Sequence, residues 1–185
     1  MQYFEDKSIN KDDLVNKGEY ENCNFNGCDF AEKDLSGFKF ITCTFNECNF
    51  SLAKLNNTMF QDVNFKDCKM MGLHFEACNE FGLSFSFENC QLKHSSFYQS
   101  KIKSTIFRHS QLEETDFTEA DLTHAVFDNC NLMSSIFHQT TLEKVDFQTS
   151  FNYTIDPTMN RIKKAKFSLM NIAGLLDKYD IIISP

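Results

Sequence analysis

The chain has 185 residues, 42% of them hydrophobic, and a formal charge of −8, which suits one folded domain and excludes a disordered one. No run approaches the roughly 18 apolar residues of a membrane span, and the opening MQYFEDKSIN is acidic where an export signal is basic and then apolar. The expectation is a cytoplasmic protein without membrane contact. Residues 1–150 hold 23 Asp/Glu against 13 Lys/Arg, whereas residues 151–185 hold 3 against 5, so an acidic body that repels nucleic acid carries a mildly basic tail.

Phe occurs 21 times and Trp not at all, which points to a repetitive demand for one side chain. Phe4, Ile9 and Leu14 open a five-residue spacing one residue out of step with the frame of Tyr20, so residues 1–18 read as a degenerate first coil capping the fold. From Tyr20 a large apolar residue recurs at every fifth position through Phe25, Phe30, Leu35 and onward to Phe75. The register slips by two residues within 79–85, around Gly82, and resumes at Phe87, after which Phe alternates with Leu or Ile as far as Phe147. Two residues before most of the large ones lies a small one, as at Cys43, Thr58, Ala120 or Ser135, while Lys33 and Phe38 depart from it.

A period of five fits neither a helix at about 3.6 nor a strand at 2.0. It implies a short strand with two inward residues and a corner, once per unit. Four units close a square coil of twenty residues, and the coils stack with like residue on like. The expected fold is therefore an all-β solenoid, a right-handed quadrilateral parallel β-helix spanning 1–167.

The last coil, 148–167, is irregular: Asn152 to Pro157 breaks the pattern, and Pro157 lacks a ladder donor, so this stretch is expected to bulge outward before Ala165 and Phe167 resume the frame. Residues 168–185 read as a short helix capped by Ser168 and an apolar strand at 180–184. A strand such as Ile181-Ile182-Ile183 needs a cover. Residues 168–185 are thus expected to form a homodimerisation module through Leu175, Leu176, Tyr179, Ile181, Ile182 and Ile183.

All eight Cys fall on the small inward position, which favours reduced core residues over metal or redox sites. The five His fall in outward or corner positions. Glu113, Glu114, Asp116, Glu119 and Asp121 spread over three walls, too dispersed for an acid/base pair, and form a candidate acidic partner-binding surface. No phosphate loop, zinc-binding helix or nucleophile elbow occurs, so neither an enzyme, a metal nor a cofactor is expected.

The pattern is identified as that of the pentapeptide-repeat proteins. Stretches such as CNFNGCDFAEKDLSGFKF, FGLSF at 81–85, ENCQLKHSSF and GLLDKYDIII resemble its quinolone-resistance (Qnr-type) branch, without the projecting loops found there. That resemblance implies a C-terminally joined dimeric rod that mimics DNA and binds DNA gyrase or topoisomerase IV, giving quinolone protection, with Gly82 at the junction of two shaft segments. From the residues alone, an interaction scaffold for an unrelated protein partner stands beside it.

Overall fold

The computed structural model describes residues 2–11 and 13–183. It is a right-handed, four-sided parallel β-helix whose walls we number from the one holding Tyr20. On wall 1, Gln2–Glu5, Gly18–Glu21, Lys39–Ile41 and Met59–Gln61 form one parallel sheet, continued by bridges from Lys101 through Asp121 and Thr141 to Arg161. Wall 2 is a seven-stranded parallel sheet from Ser8–Asn10 to Val126–Asp128. Walls 3 and 4 are built from single bridges such as Asn49↔Lys69 and Ser96↔Asp116. The regular register is twenty residues, Tyr20 facing Phe40 and Phe107 facing Phe127.

The inward pair of each unit fills the shaft. Phe87, Phe107, Phe127 and Phe147 stack along wall 2 with centroids 4.8–5.1 Å apart and planes within 10°. From the facing wall 4, Phe97, Phe117 and Phe137 meet them edge to face, as in the Phe107–Phe117 pair at 6.0 Å and 82°. The strict alternation of Phe with Leu or Ile in this half has its cause here: two opposite walls supply rings and the other two supply aliphatics. Phe38, which breaks the small position, is buried against Tyr20 and Phe40, whereas Lys33 stays exposed.

The small position has a second duty. Its hydroxyl or thiol donates to the carbonyl of a large residue in the preceding coil: Thr58 Oγ1 to Leu35 at 2.8 Å, Ser135 Oγ to Leu112 at 2.7 Å, Cys43 Sγ to Tyr20 at 3.3 Å and Cys130 Sγ to Phe107 at 3.3 Å. Cysteine here is thus a small apolar residue that also satisfies a buried carbonyl, if weakly. Burial pushes the Cys43 and Cys130 thiols up to about 12 and that of Cys28 up to about 11, so they stay protonated and unreactive at neutral pH.

Corners are turned by a residue in the left-handed region two places after the large one. Asn22, Glu32, Thr42 and Leu52 have φ between +52° and +59°, as do glycines such as Gly27 at +63°. Each such N–H is satisfied by the next coil, Thr42 donating to Gln61 O at 2.8 Å and Leu52 to Met71 O at 2.9 Å. A β-branched residue such as Thr42 is strained there.

Three places depart from the square coil. At the N-terminus Phe4 pairs with Tyr20 and Ile9 with Phe25, a register of sixteen, so the first coil is four residues short. Near Gly82 the register is twenty-two, Phe65 facing Phe87; the two additional residues lie in Glu80–Leu83, which swells out of wall 1 between Asn79 and Ser84. Gly82 adopts φ +69° there, beside the Gln61 side chain.

The third departure corrects two expectations. The stretch before Pro157 does not bulge outward, because Tyr153 and Ile155 turn inward and Asn160 takes a small position, its Nδ2 donating to Phe137 O at 2.9 Å and its Oδ1 accepting from Thr140 N at 2.9 Å. The C-terminal helix is two 3-10 segments, Leu169–Leu175 and Asp177–Tyr179, and Ile181–Ile183 is not a strand. Asp180, at φ +49° in the left-handed region, ends the second segment, and Ile181–Ile183 makes no ladder pairing among the described residues. Ser184 lies outside the described residues. Ser168 does cap the first segment, its Oγ accepting from Asn171 N at 3.3 Å, but Leu169 points to solvent.

Two substitutions separate core from corner. Phe107→Ala in mid-shaft should lose about 3–5 kcal/mol in urea unfolding. Thr42→Asn should gain roughly 0.5–1 kcal/mol by relieving the left-handed corner, read as a higher unfolding midpoint at unchanged slope.

Candidate partner-binding surfaces

Between the end coils, outward side chains have neighbours directly above and below on the same wall, so charge on the surface is organised between coils. Lys39 pairs with Glu19 at 2.9 Å, Lys93 with Glu113 at 3.1 Å, Arg108 with Asp128 at 3.2 Å and Lys166 with Asp146 at 3.1 Å, each twenty residues apart. These partly exposed pairs are individually weak, but they break up the net acidity.

The five acidic candidates lie in one coil and do not converge. Glu113, on wall 3, is 7% exposed; its Oε1 accepts from Lys93 and from Asn131 Nδ2 at 2.8 Å, and its Oε2 is buried without a partner among the described residues. Glu114 occupies the next corner, 3.3 Å from His94 Nδ1. Asp116 on wall 4 accepts from Thr118 N at 2.8 Å, and Glu119 takes Gln99 Nε2 at 2.9 Å. Asp121 lies on wall 1. Against the upward push of partial burial, the Thr123 hydroxyl and amide and the Lys103 ammonium at 3.1 Å hold its carboxyl below the usual carboxylate range.

The C-terminal candidates divide in two. Leu175 packs on the shaft and Leu176 is partly buried, whereas Tyr179 and Ile181 to Ile183 are exposed, Ile182 at 96%. The contacts that fix this segment are not among the sequence expectations. Gly174 lies flat on Tyr153, where any Cβ would overlap the Tyr153 carbonyl oxygen, and its own carbonyl accepts from Ile155 N at 2.9 Å. Asn171 Nδ2 donates to Ser150 O at 3.1 Å, and Lys178 meets Asp156 at 2.7 Å. That ammonium, together with the Thr158 hydroxyl, brings the Asp156 carboxyl down to about 2, so this tie is complete above the ordinary carboxylate range and lost only as pH falls through about 2. The signal available in the sequence was a glycine inside a predicted helix.

The square coil and its inward pair are the signature of one family, and its model, described as a pentapeptide repeat region, matches residues 19–86 and 84–152, more than half of the chain. The chain belongs to the pentapeptide-repeat family. The two matches overlap at 84–86, just past the swollen segment Glu80–Leu83. Among solved structures, this pentapeptide-repeat protein is similar to full-length QnrB1, a plasmid-mediated fluoroquinolone resistance protein, at 18% identity and a TM-score of 0.56 over 97% of each chain. A looser likeness is to HetL of the cyanobacterium Nostoc sp. strain PCC 7120, involved in regulating heterocyst differentiation, at 13% identity and a TM-score of 0.47 over 89% of this chain and 84% of that one. No curated protein sequence matches the chain significantly. Among the described residues, no helix is long and apolar enough to cross a membrane.

Gly174→Ala should release the C-terminal segment without unfolding the shaft. Limited proteolysis should then cut after Lys178 at least tenfold faster, while the main thermal transition stays in place.

Proposed function

We propose that this chain is a non-catalytic protein-binding scaffold, with partners reading the walls of its shaft. The observation that carries this reading is the pairing of acids and bases between coils: it sets fixed charges of both signs at a regular rise along the shaft, a surface suited to one complementary protein face. Stacked aromatic rings occupy the interior, so recognition falls to the outward three residues of each five, which the fold leaves free to vary. In this proposal two copies join through the exposed Tyr179, Ile181, Ile182 and Ile183, which make no ladder pairing among the described residues of the single chain.

A second reading has DNA gyrase or topoisomerase IV as the partner, bound by mimicry of DNA and giving quinolone protection. It is favoured by the acidic N-terminal shaft and by the end-to-end likeness to QnrB1 in fold and length. Against it, the acidic coil at 113–121 is spread over three walls and largely paired.

A supercoiling assay with purified protein at micromolar concentration, with and without a fluoroquinolone, separates the two. The scaffold reading predicts unchanged supercoiling and unchanged drug inhibition, with affinity capture recovering a partner that is not a topoisomerase. Relief of drug inhibition would replace it with the second reading.

A further inference from the structure

Wall 1 is graded in charge about its own midpoint. It comprises nine levels, set by Phe4, Tyr20, Phe40 and Phe60, then the swollen segment at Phe81, then Ile102, Leu122, Leu142 and Ile162. Below the swelling and at its start it carries Glu5, Asp6, Glu19, Glu21, Asp62 and Glu80 against the single cation Lys39. Above, it carries Lys101, Lys103, Lys144, Arg161, Lys163 and Lys164 against Asp121 and Glu143. Of those six cations only Lys103 has a carboxylate partner among the described residues, and the Lys144 ammonium lies 3.3 Å from His124 Nε2. At the middle level stands Phe81, 79% exposed on the bulge beside Gly82.

We propose that wall 1 is a self-complementary docking surface for a second copy of this chain, packed antiparallel about a two-fold axis at Phe81. Such an axis places level one on level nine, two on eight, three on seven and four on six, while preserving position across the wall. Glu5 then faces Lys163 of the second copy and Asp6 faces Lys164. One pair of exceptions matches as well, because Lys39, the one cation of the acidic half, faces Asp121 in the basic half. Glu21 opposite Glu143 is the one like-charged pairing, and it is flanked by Lys144 and Arg161. The two Phe81 rings meet at the centre, giving the apolar core and charged rim of a protein interface. Eight steps of about 4.8 Å and a three-residue width make the patch roughly 40 Å by 10 Å, the size of a weak, salt-sensitive contact. It leaves the C-terminus free, so the two contacts together would link dimers into chains.

The test is sedimentation velocity of the full chain at low and high salt, in an Ile182→Asp background that removes the C-terminal contact. Self-association at low salt, weakened at least tenfold at high salt or by Phe81→Ser, is expected. Glu5→Lys/Asp6→Lys alone and Lys163→Glu/Lys164→Glu alone should each abolish it. Mixing the two variants should restore it, because both ends of the antiparallel pair are then complementary again. A chain that stays monomeric at low salt, or variants that do not recover on mixing, would overturn the proposal. Binding of only a different protein to wall 1 would do the same.

Discussion

Every feature of this protein depends on one stacking constraint: each coil must place a large apolar residue on its counterpart in the coil before, while the backbone between them turns four corners in twenty residues. Parallel ring stacking satisfies the first demand, as along Phe107, Phe127 and Phe147. The second is met by left-handed residues whose N–H groups bind the next coil. Ser, Thr, Cys and Asn at the small positions close the remaining carbonyls. Inward side chains and corner backbone thus belong to the fold, which leaves the outward residues free to vary.

That division explains what could be read from the sequence. The inward pair is a strong periodic signal, and every large residue from Tyr20 to Phe147 in the two registers is buried. The slip was visible too, since two residues too many between Phe75 and Phe87 must leave the wall somewhere. What stayed hidden depended on contacts between coils. Gly174 matters because Tyr153 lies beneath it. Tyr153 and Asn160 keep the irregular coil closed through contacts that no five-residue pattern describes. The apolar Ile181-Ile182-Ile183 reads as a strand locally, but a strand requires a neighbour, and the segment has no ladder partner among the described residues.

The acidic candidates illustrate the same limit. Glu113 to Asp121 are close in sequence, but nine residues cross three walls, so proximity along the chain separates side chains in space. The informative distance is twenty residues, which joins Lys93 to Glu113 and Arg108 to Asp128. Viewed at that spacing, net acidity gives way to walls of individual character, and wall 1 runs from acidic to basic through an exposed Phe81.

A filled shaft that acts through its walls should hold its neighbours in fixed register, and pulsed electron resonance of spin labels can measure that register. The buried, protonated cysteines leave single new thiols at Thr42 and at His124, two levels either side of Phe81, as the reactive sites. Antiparallel pairing of wall 1 predicts the same short separation, about 20 Å along the shaft, from both labels. A separation beyond roughly 60 Å from Thr42 with a much shorter one from His124 would mean that only the C-termini meet, and would contradict it.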